Sequence, residues 1–169
     1  MGEIISFAKA CQLSKKFRKE GKKVALVRGC FDILHIGHIR FLKLIRKYLG
    51  KKPILFVGLT SDNYMRKNKG PNRPIHSQKL RAEVLSVLEL IDYVITYKDN
   101  GTVEDIDKSH GIRQFNPDIF ILGKTEEFVF KRLTLEAERC GCAIKVFSQD
   151  WNTLTTSNIA KLILDNFSS

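Results

Sequence analysis

Short apolar runs alternate with longer amphipathic segments along the 169 residues of the chain. The runs are almost continuously apolar, which is typical of strands in a parallel sheet that is covered on both faces. Strands that alternate with helices build a doubly wound sheet with right-handed crossovers. The pattern therefore predicts a single α/β domain with a five-stranded parallel sheet. The predicted strands are VALV (24–27), ILFVGL (54–59), YVITY (93–97), IFIL (119–122) and AIKVF (143–147).

Helical periodicity fills the intervals between the predicted strands. Residues 38–50 place apolar side chains on one face, and Gly50 can end that helix. A second helix follows Ser77, a residue type that caps helix N-termini. Two more helices are predicted over 126–141 and 155–167. We expect the last one to bury Ile159, Leu162, Ile163 and Phe167.

The N-terminal segment and one internal stretch stand apart from this alternation. A helix around residues 3–19 is predicted before the first strand, so we divide the chain into an N-terminal helix (1–20) and a larger domain (21–169). Residues 66–77, RKNKGPNRPIHS, are rich in Lys, Asn, Gly and Pro and predict a loop. Its length is typical of loops that carry function.

The composition favours a folded cytoplasmic protein. No apolar run approaches the roughly 20 residues of a membrane-spanning helix, and the charged N-terminus lacks the apolar centre of a signal peptide. We therefore predict cytoplasmic localisation, no membrane partner and no metal site built from the chain's own side chains. The cysteines lack zinc-ligand spacing and are expected to be free thiols. They are Cys11, Cys30, Cys140 and Cys142.

Positive charge is concentrated in the first half of the chain, within a net charge of +11. Residues 1–81 hold 20 Lys and Arg against 4 Asp and Glu, whereas residues 82–169 hold 9 against 14. A positive half attracts phosphates, either of nucleic acid or of small metabolites. The run KKFRKEGKK (15–23), taken alone, is more typical of a solvated face.

The stretch GCFDILHIGH (29–38) lies where the first predicted strand becomes a helix. In open α/β sheets, ligands bind beyond the carboxyl ends of the strands, and helix N-termini bind anions. Gly37 has no side chain, so a phosphate can approach between His35 and His38 and accept hydrogen bonds from both. We interpret the two histidines as phosphate ligands. A zinc site would need further ligands, which the sequence does not supply at suitable spacing. The two histidines could also act as a general acid and base, but no Ser or Cys nucleophile to partner them is evident.

At this stretch the chain resembles the cytidylyltransferase-like nucleotidyltransferases, whose signature is Gly-x-Phe-Asp-x-x-His-x-Gly-His. The resemblance extends from about Lys22 to Leu164. Residues 69–95 are most similar to heptose-phosphate adenylyltransferases, and residues 154–163 to the family's Ser-Thr-Thr-x-Ile segment. The resemblance implies a Rossmann-like fold and a homodimer. It also implies transfer of a nucleotidyl group from a nucleoside triphosphate to a small phosphorylated acceptor, with release of pyrophosphate.

The resemblance assigns catalytic roles to three residues. His35 and His38 would stabilise phosphate charge in the transition state, and Arg81 would hold β- and γ-phosphate oxygens. Asp32 would hold the loop or a histidine in orientation. Mg²⁺ would arrive with the nucleotide, held largely by phosphate oxygens and water.

Further positions match nucleotide-binding parts of the family. Lys67 and Lys69 would close over the triphosphate, and hydroxyls at the start of the last helix would bind phosphate, cap the helix, or do both. Gly123 would keep the backbone close to the ligand. The complete nucleotide-binding set implied by the resemblance is Gly29, Cys30, Phe31, Asp32, Gly37, Lys67, Lys69, Gly123, Thr155, Thr156 and Ser157.

Two departures from the family pattern bear on the substrate. Heptose-type enzymes read Gly-Gly-Asp after the fourth strand, where this chain has Gly123-Lys124-Thr125. Glycerol-3-phosphate cytidylyltransferase has an arginine before its Ser-Thr-Thr segment, which this chain lacks. Lys124-Thr125 in place of Gly-Asp removes one negative charge and adds one positive charge, so the pocket should favour a more anionic acceptor or lose an interaction with a sugar hydroxyl. Heptose 1-phosphate is therefore expected to be a poor acceptor.

Four functions follow from the sequence. A sugar-phosphate adenylyltransferase leads, followed by a cytidylyltransferase acting on glycerol 3-phosphate or a similar polyol or amino-alcohol phosphate. A nucleic-acid-binding module is the alternative of another class, although an aromatic content of 9% shows no obvious stacking platform. A regulatory nucleotide sensor without turnover is the fourth.

Overall fold

A computed structural model describes residues 1–97, 110–123, 127–148 and 155–167. These ranges contain six strands, β1 (Glu3–Ser6), β2 (Val24–Gly29), β3 (Ile54–Leu59), β4 (Tyr93–Thr96), β5 (Ile119–Leu122) and β6 (Ala143–Val146). They also contain seven helices, α1 (Phe7–Lys19), α2 (Ile36–Leu49), α3 (Asp62–Lys69), α4 (Gln78–Ser86), α5 (His110–Phe115), α6 (Glu127–Arg139) and α7 (Thr156–Phe167). None of these helices is long and apolar enough to cross a bilayer.

The strands form one sheet in the order β1-β4-β3-β2-β5-β6, and all the pairings are parallel. From β2 the chain winds outward through β3 to β4, and it then returns to place β5 on the other side of β2. The winding direction therefore reverses between β2 and β5. In doubly wound sheets the crevice at the carboxyl ends of two such strands is where ligands bind. The predicted parallel α/β architecture is confirmed.

The N-terminus differs from the prediction of a helix over 3–19 before a five-stranded sheet. Residues 3–6 form the edge strand β1, which pairs in register with β4 and makes the sheet six-stranded. Ile5 is buried and Ile4 is exposed, the alternation of a half-buried strand. The helix begins only at Phe7, after Ser6, whose hydroxyl accepts a hydrogen bond from the Lys9 amide (3.3 Å). The sequence did not reveal this strand because its only β-branched residues, Ile4 and Ile5, directly precede a strongly helical segment.

The core has two layers because successive strand residues point to opposite faces of the sheet. One face carries Leu26 and Phe56 against apolar residues of α1, α5 and α6. The other carries Val27 and Val57 against Leu42 of α2 and the buried face of α4. Helices therefore cover both faces, and α2 runs from the carboxyl end of β2 across the second face.

Two other predictions about helices were wrong. Residues 66–69 continue helix α3, which Ser61 caps and Gly70 (φ +100°) ends, so the predicted loop over 66–77 begins only after Lys69. Polar composition favoured a loop there, but the Ser-Asp start of the helix lies outside that window. In α7, Leu162 and Ile163 are exposed rather than buried, while Ile159 is half-buried. The side chain of Phe167, also expected to be buried, lies outside the described part of the structure.

Candidate active site

The turn after β2 is shaped by a glycine and a phenylalanine. Phe31 has φ +46°, in the left-handed region that is uncommon for a large side chain. Its ring lies against the end of β2, where a Cβ on Gly29 would be 2.7 Å from Phe31 Cε2. Gly29 thus leaves room for the Phe31 ring. Both residues serve the shape of the loop, whatever they contact in a ligand.

The two histidines stack at the start of α2. His35 is the residue before the helix and His38 lies in its first turn, with ring centroids 3.8 Å apart and an interplanar angle of 25°. The ring of Phe31 lies 5.0 Å from that of His38. The backbone N–H of His35 donates to His38 Nδ1 (3.4 Å), so the proton of a neutral His38 sits on Nε2. Nδ1 of His35 is buried without a hydrogen-bond partner among the described residues.

Burial keeps both imidazoles neutral. It lowers the pKa of His38 to about 4, helped by the positive charges of Lys69 and of a protonated His35 and opposed by Asp32 and by a backbone hydrogen bond to Ile33. Burial also lowers the pKa of His35. At neutral pH the two stacked rings are therefore uncharged and do not repel each other. His38 also hydrogen-bonds to the backbone of Ile33, a partner that its ring N–H would exchange for an incoming oxygen. Gly37 is buried in the same helical turn, whose first amides lack helical partners and can bind an anion.

Asp32 is buried and holds the segment that leads to α4. Its carboxylate accepts hydrogen bonds from the amides of Ile75 (2.9 and 3.0 Å) and His76 (2.9 Å), and it lies 3.3 Å from Arg73 Nη1. These contacts agree with the expectation that Asp32 holds the loop in orientation. Because they occupy both oxygens, this carboxylate is poorly placed to bind a metal.

Arg81, which the resemblance assigns to phosphate oxygens, is held by partners within the protein, and its binding of phosphate stays a prediction. Its side chain is fully buried, and Nη1 donates to the carbonyl oxygen of Cys30 (2.6 Å). Nη2 donates to the Thr60 carbonyl (2.8 Å) and to Asp62 Oδ1 (2.7 Å), and Nε donates to the His76 carbonyl (3.0 Å). Arg81 thus joins the histidine loop, the end of β3, the start of α3 and the segment before α4. A phosphate contact would require it to leave these partners.

Lys67 and Lys69 are exposed on the last turn of α3. The positive charge of Lys69 contributes to the lowered pKa of His38, so this residue is near enough to act on the ring through its charge. The structure therefore brings Lys69 towards the motif on a helix, whereas we expected a loop. Closure of either lysine over a nucleotide stays a prediction.

Gly123 lies on the far side of the crevice, directly after β5. A Cβ there would be 3.7 Å from Phe41 Cζ, an ordinary contact. The protein itself therefore does not require a glycine at this position, and a requirement from the ligand stays a prediction. Lys124 and Thr125, on which the acceptor expectation depends, lie outside the described residues.

The first turn of α7 is capped in the ordinary way. Oγ1 of Thr155 accepts a hydrogen bond from the Asn158 amide (3.1 Å), while Thr156 is buried and Ser157 is exposed. Helix capping, one of the two roles expected for these hydroxyls, is therefore present. Binding of phosphate by the same turn stays a prediction.

Several partners of the site were missed from the sequence. Asp62 accepts from Arg81 and, through Oδ2, from the Gln78 amide (3.1 Å), so it fixes the start of α3 against α4. Thr60 contributes only its carbonyl oxygen, which no side-chain pattern reveals. In the described ranges no group of three or more His, Cys, Asp or Glu side chains is placed to hold a metal ion.

Comparisons with known proteins show the family of the chain. Residues 26–164 match the family model described as cytidylyltransferase-like. Bifunctional protein HldE of Syntrophotalea carbinolica is 36% identical over 153 residues, 89% of this chain and 29% of that protein. Bifunctional protein HldE of Wolinella succinogenes is 39% identical over 120 residues, 71% of this chain and 23% of that protein. The chain thus spans less than a third of these relatives.

A solved structure with the same fold has little sequence similarity. Pantoate-beta-alanine ligase from Francisella tularensis superimposes with a TM-score of 0.63 at 14% identity, covering 100% of this chain and 80% of that chain. At this identity the match concerns the fold alone. It supports the Rossmann-like arrangement that the strand order shows.

Proposed function

We propose that this chain transfers an adenylyl group from ATP to a small sugar phosphate. The chain belongs to the cytidylyltransferase-like family, and it is a nucleotidyltransferase. An acceptor phosphate oxygen attacks the α-phosphorus, and the bond from that phosphorus to the α,β-bridging oxygen breaks. Pyrophosphate carries away the electron pair of that bond. The attacking group is already an anion, so it needs no general base, and its direct attack on the α-phosphorus involves no covalent enzyme intermediate.

The stacked, neutral histidine pair carries this proposal. Two imidazole N–H groups at a helix start, in the crevice of a doubly wound sheet, are suited to phosphate oxygens that gain charge during transfer. Burial makes each hydrogen bond stronger than it would be in water. Lys69 adds a positive charge beside the pair. The chain's own contribution is thus positioning and charge stabilisation.

The sugar phosphate and the adenine base are the finer part of the proposal. They are supported by the HldE relatives, which contain a heptose-phosphate adenylyltransferase domain. Mg²⁺ would neutralise triphosphate charge when bound, and the fit favours an ion held by phosphate oxygens. The buried carboxylate nearest the histidines, Asp32, is committed to backbone amides.

The proposal is tested by pyrophosphate release with ATP and CTP, each against a panel of phosphorylated acceptors that includes heptose 1-phosphate and glycerol 3-phosphate. We expect release that depends on both substrates, with ATP and a sugar phosphate giving the highest kcat/KM. Activity confined to CTP and glycerol 3-phosphate would refute ATP as the donor and a sugar phosphate as the acceptor, but it would still support nucleotidyl transfer as the reaction. Tight nucleotide binding without turnover of any acceptor would refute the reaction.

A further inference from the structure

A positively charged cavity of about 440 Å³ lies at the opposite edge of the sheet from the histidines. It is formed by the end of α1, the residues before β2, and the segment between α5 and β5. Asp118 binds the Val24 amide (2.8 Å) and so marks the amino end of β2, whereas the histidines follow its carboxyl end. A six-residue strand at about 3.3 Å per residue separates the two places. The cavity is therefore distinct from the candidate active site.

Five cationic side chains line this cavity against one carboxylate. They are Lys15, Arg18, Lys19, Lys22 and Lys23. The carboxylate, Asp118, is already engaged by the Val24 amide, by Arg18 (3.6 Å) and by Lys23 (3.5 Å). Within the part of the chain that the structure describes, Lys15 and Lys19 have no ion-pair partner. The cavity thus keeps a positive charge that its own residues do not neutralise.

Two buried polar atoms of lining residues indicate a ligand that carries hydrogen-bonding groups as well as negative charge. Oγ of Ser14 and Oδ1 of Asn116 are buried and have no hydrogen-bond partner among the described residues. Native proteins pair nearly all such atoms. Because both oxygens are closed to solvent, a ligand hydroxyl would reach them only after their side chains rotate toward the cavity. Asn116 also has φ +50°, and its carbonyl accepts a hydrogen bond from Arg18 Nη1 (3.0 Å). The turn that carries the carboxamide is therefore fixed to the basic wall.

We propose that this cavity binds a small phosphorylated sugar or polyol as a second ligand. Its phosphate would contact Lys15 and Lys19, and its hydroxyls would pair with Ser14 and Asn116. The volume lies in the usual range of small-molecule sites, about 300–1,000 Å³. A concave wall with buried hydrogen-bonding atoms suits a small ligand better than a nucleic-acid backbone, which would reach only the exposed ammonium groups.

The test is a titration of ¹⁵N-labelled protein, followed by amide chemical shifts, without nucleotide and at constant ionic strength. The probes are glycerol 3-phosphate and inorganic phosphate. We expect saturable shifts at Ser14, Lys19 and Asn116, with glycerol 3-phosphate binding more tightly because only it offers hydroxyls. Shifts at Gly37 and His38 report the active site separately, so failure here is distinguishable from failure of the proposed reaction.

Three substitutions in the cavity, with one control outside it, test the separate parts of the site. Lys19→Gln should weaken both probes by on the order of tenfold, as loss of a hydrogen bond to a charged group does. Lys47→Gln, in the last turn of α2, removes a matched exposed charge elsewhere and should change neither affinity. Asn116→Gly keeps the positive φ and should abolish the preference for glycerol 3-phosphate without affecting phosphate. Ser14→Ala should reduce that preference without loss of stability.

Three results would overturn the proposal. The first is a set of shifts at Ser14 and Asn116 that stay linear to high probe concentration. The second is equal shifts in wild type and Lys19→Gln. The third is saturable binding of a short RNA duplex to this face with no saturable binding of either small probe, which would make the basic wall a nucleic-acid surface.

Discussion

Charged and titratable side chains are arranged differently at the two ends of the parallel strands, the carboxyl edge with the histidines and the amino edge with the basic cavity. At the carboxyl edge the histidines are half-buried, stacked and neutral, and the buried Asp32 carboxylate is held by backbone amides. At the amino edge the cationic side chains are long, exposed and only partly paired. A reaction that develops charge on phosphate needs rigid donors, whereas attraction of an anion needs only net charge. The basic first half of the chain is therefore divided between both edges, and much of its charge cannot reach the histidines.

The largest effect is expected from the buried arginine of the carboxyl edge. Arg81→Ala leaves three carbonyl oxygens and the Asp62 carboxylate without their donor, which should lower the free energy of unfolding by about 3–5 kcal/mol. Urea denaturation measures this loss. Arg81→Lys should recover part of it, and Lys19→Gln at the amino edge should change it by less than about 0.5 kcal/mol. A stable Arg81→Ala protein that had lost only nucleotide affinity would restore the phosphate-ligand role.

The histidines should control turnover rather than folding. His35→Ala and His38→Ala should each lower kcat by roughly 10²–10³, the effect of removing one transition-state donor. Thermal unfolding should change little, because each ring is half-buried at the surface of the crevice. Steady-state kinetics with ATP and the best acceptor measure the change. Near-normal kcat in either variant would remove that histidine from the mechanism.

Acid should destabilise the protein through His38. Its pKa is about 4 when folded and about 6.5 when unfolded, so the unfolded state binds more protons between these values. Stability should therefore fall as the pH drops from about 6.5 to 4, by on the order of 2 kcal/mol, and this contribution should be constant above pH 6.5. Thermal melts of wild type and His38→Gln across this range measure it. An equal pH dependence in both proteins would contradict the buried, neutral state of His38.

A smaller effect distinguishes two lysines on the same helix. Lys69→Gln should raise the pKa of His38, because the ammonium beside the ring opposes its protonation. Lys67→Gln is the matched control and should leave that pKa nearer its wild-type value. Titration of the His38 ring protons by NMR measures both. Equal shifts in the two variants would mean that Lys69 has no special position in solution.

The smallest effect is expected at the amino edge. A variant with Lys15, Lys19, Lys22 and Lys23 all changed to Gln should keep kcat and both KM values within about twofold at 0.15 M salt, where the Debye length is about 8 Å. Steady-state kinetics against wild type measure this. A large rise in the nucleotide KM would show that the basic run serves the active site after all.

The sequence was most informative where a backbone pattern and a motif coincide. The strands after residue 20 and the strand-to-helix position of the histidines could be predicted, because apolar runs and the glycine–histidine spacing depend on local geometry. The first strand could not, since two isoleucines beside a helical segment give too short a signal. The partners of Arg81 could not either, because most are backbone carbonyls brought together by the tertiary fold. The net charge of a segment gave no indication of which edge it would occupy.

The most direct test of the account compares both edges in one assay of pyrophosphate release with ATP and the preferred sugar phosphate. The three proteins are wild type, the His35→Ala/His38→Ala double variant, and the four-lysine variant of the amino edge. The account predicts equal turnover for wild type and the lysine variant, and no turnover above background for the histidine variant. Retained activity in the histidine variant, with activity lost in the lysine variant, would contradict the placement of the reaction at the carboxyl edge.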